Sequence, residues 1–353
     1  MKRARQPSPK SEHHPAEMNP GSAAAPFTAS DLPMGDQGRI YHLQVKPGQI
    51  APDIILVGDP WRAEFIGSNL LRDVEYTCEH RGLVTVTGTF PATGEKATII
   101  SPLRTTVATS GIGTPSLEIV VGELVALNEI DFETRTRKTE YPRLHVIRVG
   151  SSGGLQASTE LGTPIITTYS IGLDNTGLYY EAPYPDPVCE RIESELVHIF
   201  DNSMSKNSRF YGKIRPYVTR AEPILVNALL EASDSLGVPA KAGLTVSCPG
   251  FFAPQGRDVY LLKPSISDLD KTFSAYDPGL EGQRVENMEM EASFLLHFLG
   301  GQGYWAGVIC TAIANRQLNT FTAHYKEAMK DAAKVALLAL ANLRNRYPDV
   351  QIR

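Results

Sequence analysis

Four short segments of this 353-residue chain combine residue types that could do chemistry. In Val57-Gly58-Asp59-Pro60-Trp61-Arg62 an apolar run gives way to a helix start. Glycine permits close backbone approach, and an arginine on the first helical turn adds charge to free N–H groups, which suits an anion. The plainer alternative is an ordinary strand-to-helix turn. In Arg148-Val149-Gly150-Ser151-Ser152-Gly153-Gly154 an arginine near a strand end precedes small hydroxyl residues and glycines, a composition suited to a tetrahedral oxyanion at a sheet crevice. Gly150 to Gly154 also matches G-x-S-x-G, which would make Ser152 a hydrolase nucleophile. Against that, only Leu155 to Gly162 separate it from the next strand, too little for the helix such an elbow requires, and Arg148 is no base. The spacing is not the G-x-G-x-x-G of a dinucleotide site. A glycine turn beside a buried, satisfied arginine is the structural alternative.

The third segment, Phe251-Phe252-Ala253-Pro254-Gln255-Gly256-Arg257, offers an aromatic wall and a Gln/Arg pair that points one way in extended backbone. Gln supplies a donor and an acceptor and Arg only donors, which matches a planar base with carbonyl and N–H edges. Read plainly, it is a proline-bearing loop with polar residues facing solvent. The fourth, Asn287-Met288-Glu289-Met290-Glu291-Ala292-Ser293, puts Glu289 and Glu291 on one face if extended. A carboxylate at a strand-to-helix junction can accept from two vicinal hydroxyls, as in a sugar. Alternatively both acids simply favour a helix start.

Short β-branched runs alternating with longer amphipathic ones must position these segments, which predicts α/β architecture. The expected strands are Ile54–Val57, Val84–Phe90 and Lys96–Ile100 as a hairpin, Thr105–Thr109, Leu144–Val149, Pro164–Tyr169, Ala242–Ser247 and Trp305–Ala312. Helices are expected from Pro115, capped by Thr114, to Asn128, over Phe294–Phe298, and over Ala323–Arg344. Asp131–Tyr141 reads as a solvated excursion. Residues 1–38 hold six prolines and little apolar pattern, so they are expected to be a disordered extension before one domain over 39–353. They lack the apolar segment of a secretory signal, and Glu12 and Glu17 oppose a transit peptide.

Thirty-four Lys and Arg against 39 Asp and Glu leave a net charge of −5, which gives no footprint for nucleic acid. With 42% hydrophobic residues and no run of about 18 uncharged apolar ones, a soluble globular protein without a membrane span is expected. Cys78, Cys189, Cys248 and Cys310 have no C-x-x-C pair and no zinc-spaced histidine, so reduced thiols in a cytoplasmic protein, and no metal, are expected.

Taken in order, the four segments resemble the uridine phosphorylases of the nucleoside phosphorylase family, over about Tyr41 to Asn342. The resemblance implies a single α/β domain, a central mixed β-sheet flanked by helices on both faces. It also implies reversible phosphorolysis of uridine, and of deoxyuridine, to uracil and (deoxy)ribose 1-phosphate in pyrimidine salvage. By that resemblance Gly58, Arg62, Arg148 and Ser151 bind phosphate, and Met290 and Glu291 bind ribose. Phe251, Gln255, Arg257, Ser152 and Gly153 line the uracil site, and Arg257, Gln255, Glu291 and Arg148 carry catalysis. His42, in Tyr41-His42-Leu43, resembles a residue that reaches the ribose of a neighbouring subunit, and Arg81, after His80, one that completes its phosphate site. No cofactor is implied, inorganic phosphate being a co-substrate.

Two departures bear on this. Purine phosphorylases carry a purine-protonating aspartate where this chain has Ile313-Ala314-Asn315-Arg316, and asparagine cannot be that acid. Hexameric bacterial members carry a cation-binding glutamate where this chain has Gly82, so an intersubunit cation lacks support and a homodimer is expected over a hexamer. The competing readings are a purine nucleoside phosphorylase or hydrolytic nucleosidase of the same fold, a serine hydrolase built on Ser152, and a non-catalytic nucleoside binder.

Overall fold

The computed structural model describes residues 25–91, 101–348 and 351–352. Eleven strands form one sheet: β1 (Asp53–Val57), β2 (Arg72–His80), β3 (Leu83–Phe90), β4 (Leu103–Thr109), β5 (His145–Gly154), β6 (Pro164–Gly172), β7 (Tyr217–Arg220), β8 (Lys241–Ser247), β9 (Val285–Glu289), β10 (Trp305–Asn315) and β11 (Thr320–Phe321). Seven α-helices accompany them: α1 (Pro60–Asn69), α2 (Thr114–Glu129), α3 (Pro187–Ser203), α4 (Pro223–Leu236), α5 (Leu269–Ala275), α6 (Ala292–Gly301) and α7 (Lys326–Arg346). The sheet is mixed, in the order β11-β10-β6-β8-β9-β5-β1-β4-β3-β2, with β7 pairing with Tyr169–Gly172 of β6, beyond the residues Pro164–Ile166 that pair with β10. Every residue of β1 and β9 is buried, as strands covered on both faces must be.

β5 makes the sheet close on itself. Its first half lies between β1 and β10, while Gly153 and Gly154 pair with β9, and β10 in turn pairs with β6. A ring of five strands, β10-β6-β8-β9-β5, results. Glycine is required where β5 forks: a Cβ on Gly150 would stand 1.9 Å from Arg148 Nη1 and 2.8 Å from Cys310 Sγ. The glycine- and serine-rich stretch after Val149 is therefore strand, not the turn expected, because pairing to both β9 and β10 satisfies its backbone.

Other expectations need correction. Residues 25–38 are ordered against the body: Arg135 donates to the carbonyls of Phe27 (2.7 Å), Thr28 (2.6 Å) and Leu32 (2.7 Å), and Leu32 is buried. The proline-rich composition concealed this, since one guanidinium on the Asp131–Tyr141 excursion satisfies backbone that carries no periodic pattern. The part of the expected extension over residues 1–24 lies outside the described residues, as do the expected strand's residues Lys96–Ile100. β3 instead pairs with β4 and with the unforeseen β2. β7, α3, α4 and α5 were also not singled out from the pattern. Gly113, not Thr114, occupies the cap position of α2, with φ +85°, and its N–H is taken by a distant carboxylate.

No helix among the described residues is long and apolar enough to cross a membrane.

Candidate active site

β1, β4 and β5 run parallel with Val57, Thr109 and Val149 level with one another, so their carboxyl ends open together. Ligands of open α/β sheets bind at such an edge. A cavity of about 300 Å³ lies there, and its walls include Gly58, Arg62, Arg148, Ser151, Ser152, Gly153, Phe251, Gln255, Arg257, Met290 and Glu291. Segments more than two hundred residues apart thus meet in one cleft, and of the expected site residues only His42 and Arg81 stand outside it.

One end of the cleft is cationic and built on strands. Asp59 caps α1 by accepting from Arg62 N at 3.0 Å, and its carboxylate also holds Arg62 Nε at 2.5 Å. Arg62 Nη1 donates to Val149 O at 3.1 Å, which ties α1 to the end of β5. A Cβ on Gly58 would lie 3.7 Å from Arg62 Nη2 and 3.9 Å from Arg148 Nη2, so both guanidiniums border the space that glycine leaves. Arg148 is only 4% exposed, ion-paired to Glu291 and 3.3 Å from Glu289. Burial works against its charge, but Glu291 and then Glu289 outweigh that and hold its pKa above the ordinary value.

The carboxylates at the β9-to-α6 junction have distinct partners. Glu291 Oε1 accepts the Gly113 N–H at 2.6 Å, which explains the bare cap of α2. Glu289 accepts from Ser247 Oγ (2.5 Å) and from the N–H groups of Glu291 (2.9 Å) and Ala292 (2.9 Å). Burial, opposed by Arg148 and reinforced by Glu291, pushes the Glu289 carboxyl up to about 7. Both readings of this segment hold at once: Glu291 faces the cleft, and Glu289 both lines it and serves the helix start.

The other end is aromatic and built on a loop. Gln255 closes a 3-10 turn and Gly256 follows at φ +75°, so Gln255 and Arg257 converge through a tight turn rather than through the extended alternation expected. Arg257 lies 3.8 Å over the Phe251 ring and donates to the carbonyls of Phe251 and Gln255, the latter side chain at 2.7 Å. The Gln255 amide oxygen is thereby engaged, which leaves its NH₂ as the group available to a ligand. Burial and then the nearby Arg316 lower the Arg257 pKa. Arg316, which the sequence reading passed over, donates to Asp270 (3.2 Å) and Gln255 O (3.4 Å), and its aliphatic chain backs Gly153. Its signal was a basic residue directly after a buried strand.

Asn315 does not face the cleft: it donates to Gln156 O and Thr159 O and accepts from Leu318 N, so Ile313 and Ala314 are what β10 presents. Ser152 sits within a strand, its hydroxyl accepting from Asn287 Nδ2 at 2.9 Å, and the cleft walls contain no histidine among the described residues. An activated nucleophile needs an adjacent base, which Ser152 lacks.

His42 and Arg81 form a separate surface cluster. Glu123 holds His42 Nδ1 at 2.8 Å, His80 bonds the His42 carbonyl at 2.9 Å, and Arg81 stands exposed over Tyr41 at the β2–β3 turn. No group of three or more His, Cys, Asp or Glu among the described residues is disposed to hold a metal ion.

A mixed sheet whose carboxyl edge gathers two guanidiniums, a buried carboxylate and a Gln/Arg pair in one cleft defines an α/β protein with a small-molecule site. Residues 52–341 match the model of the phosphorylase superfamily, and the chain belongs to that family. It is 30% identical to a uridine phosphorylase of Thermococcus kodakarensis over 311 residues, 88% of each chain. A DeoD-type purine nucleoside phosphorylase of Listeria welshimeri is 34% identical over 125 residues, covering 35% of this chain and 44% of that one. Among solved structures, a Trypanosoma brucei nucleoside phosphorylase described as showing uridine phosphorylase activity superposes with a TM-score of 0.75 at 26% identity, covering 88% of this chain and 100% of that one.

Proposed function

We infer that this chain is a uridine phosphorylase, catalysing the reversible phosphorolysis of uridine to uracil and ribose 1-phosphate. The observation that carries the reading is one cleft holding Arg62, Arg148 and Glu291 at one end and the Gln255–Arg257 pair at the other. The Thermococcus relative and the trypanosomal structure support it.

Phosphate, held by Gly58, Arg62, Arg148 and Ser151, attacks C1′ of the ribose. A C–O bond forms as the C1′–N1 bond breaks, and the electron pair departs with uracil. Arg257 and the Gln255 NH₂ donate to the uracil carbonyl oxygens, where negative charge develops in the transition state. Glu291 accepts from the ribose hydroxyls, with Met290 beside it, and the fixed geometry supplies orientation. Phe251 faces the pyrimidine ring, and Ser152 and Gly153 form the floor beneath it. Phosphate is the co-substrate and no cofactor enters the chemistry.

The enzyme acts as a homodimer in which His42 and Arg81 complete the neighbour's ribose and phosphate sites. Their position outside their own cleft supports this. It works in the cytoplasm, in pyrimidine salvage, a location favoured by free thiols at Cys78, Cys189, Cys248 and Cys310. A hydrolytic nucleosidase would leave Arg62 and Arg148 without purpose, and the partners of Ser152 oppose a serine hydrolase.

Uridine incubated with and without phosphate, followed by uracil absorbance, tests the reading. Cleavage is expected only with phosphate or arsenate, with inosine and adenosine almost untouched. Comparable phosphorolysis of inosine, or turnover without phosphate, defeats it.

A further inference from the structure

A cleft larger than the catalytic one, about 460 Å³, opens at the other end of β10, between the start of that strand, the segment after β7 and the end of α6. Trp305 borders it, whereas Ala314 of the same strand borders the catalytic cleft, so the two stand about 30 Å apart at ~3.3 Å per residue. Arg143, just before β5, lies with its guanidinium 4.8 Å over the Trp305 ring. Its Nε is fully buried with no hydrogen-bond partner, and it enters no ion pair among the described residues.

Several other polar groups of this cleft have partners. Arg220 Nη1 donates to Asp186 at 3.0 Å, leaving its remaining N–H groups open. Glu222, in the same walls, caps α4 by accepting from Ile224 N through one carboxylate oxygen. His297 Nε2 bonds the Tyr180 carbonyl at 2.7 Å. The buried Nε is closed to a ligand, but Arg143 as a whole is part-exposed in the cleft wall, and guanidinium is donor-only, so the complement of its outer N–H groups is an acceptor, best an anionic one.

We propose that Arg143, backed by Arg220, forms a second small-molecule site, which takes a ligand bearing an oxyanion: a phosphate monoester, phosphate itself or a carboxylate. The volume is that of small-ligand pockets. Stacking on Trp305 fixes the plane of the guanidinium, as bidentate pairing with an oxyanion requires. The proposal stands apart from the reading of the catalytic cleft, because its readout is Trp305.

Trp61→Phe leaves Trp305 as the sole tryptophan. In that background, emission is titrated with inorganic phosphate, uridine 5′-monophosphate and succinate. A saturable change is expected with at least one of them, and a response to one alone identifies the source of the oxyanion. Arg143→Gln should raise the apparent Kd for that probe at least tenfold, while kcat and the phosphate KM for uridine stay within about twofold. Arg143→Lys, which keeps the charge but loses the planar fork, should weaken binding as well and serves if the glutamine variant does not fold. The proposal is overturned by no saturable change with any probe, by an equal response in the folded variants, or by a change in particle mass in the variants. The last outcome would make the cleft a contact between copies of the chain.

Discussion

The two ends of the catalytic cleft are built differently. Arg148 sits on a strand, 4% exposed, between two carboxylates that are themselves held by Ser247, Gly113 and the first turn of α6. Arg257 sits on a half-buried loop, supported by Phe251, which is 53% exposed, and by a neighbour two residues away. The Arg148 end is thus anchored in the sheet, whereas Arg257 rests on contacts within its own short segment, which Arg316 braces through Gln255. On the proposed function, reaction chemistry common to any nucleoside would be lodged in the sheet-anchored part, and the choice of base on a part that can vary without disturbing the sheet.

If this contrast is right, the largest effect belongs to Arg148. Arg148→Ala should lower kcat/KM for uridine by ~10³-fold or more and reduce stability by ~3 kcal/mol, because two buried carboxylates lose their shared cation. Steady-state kinetics and denaturant melts check both, and an undiminished melt would mean that the ion pairs contribute little to folding.

Arg257→Ala should lower kcat/KM by ~10²-fold with a nearly unchanged melting temperature, since its contacts are local. The loss should shrink for a pyrimidine nucleoside whose leaving group is already a stable anion. Equal losses for both substrates would assign Arg257 to binding or folding.

A smaller effect tests whether the cationic end is completed from outside. When inactive Arg81→Ala and Arg148→Ala proteins are dissociated, mixed and reassociated, about half of the dimers are mixed and each carries one intact site, so activity should return to roughly a quarter of wild type. Mixed dimers proven by mass spectrometry but inactive would place Arg81 in its own subunit's site.

The smallest effect is a pH dependence. Glu289 has a folded pKa of about 7 against the ordinary 4.5, so the folded state favours its protonated form. Its stabilising contribution is present below about 4.5 and is lost as pH rises to about 7. Glu289→Gln should flatten stability between those pH values. A wild-type profile that instead rises across this window would contradict the shift.

The residues of the cleft were legible because each segment carries a local signal: glycine before a helix start, arginine before small residues, an aromatic wall with a Gln/Arg pair, acids at a strand end. Their backbone states were less so. Gly150–Gly154 looks like a turn because glycine is rare in strands, yet pairing with β10 along its length and with β9 at Gly153 and Gly154 makes it strand. Ordering of residues 25–38 depends on Arg135, some hundred positions away, which no local window contains.

By itself, then, the sequence determined the class of architecture, the family and nearly all the groups that meet in the cleft, since these follow from residue type and short-range spacing. Only the tertiary structure decided that β5 closes a ring, that Glu289 and Glu291 share Arg148, that Arg316 underlies the Gln255–Arg257 end, and that His42 and Arg81 lie outside their own cleft. Each of these depends on contacts between segments far apart in the chain, whose energy exists only once the backbone has brought them together.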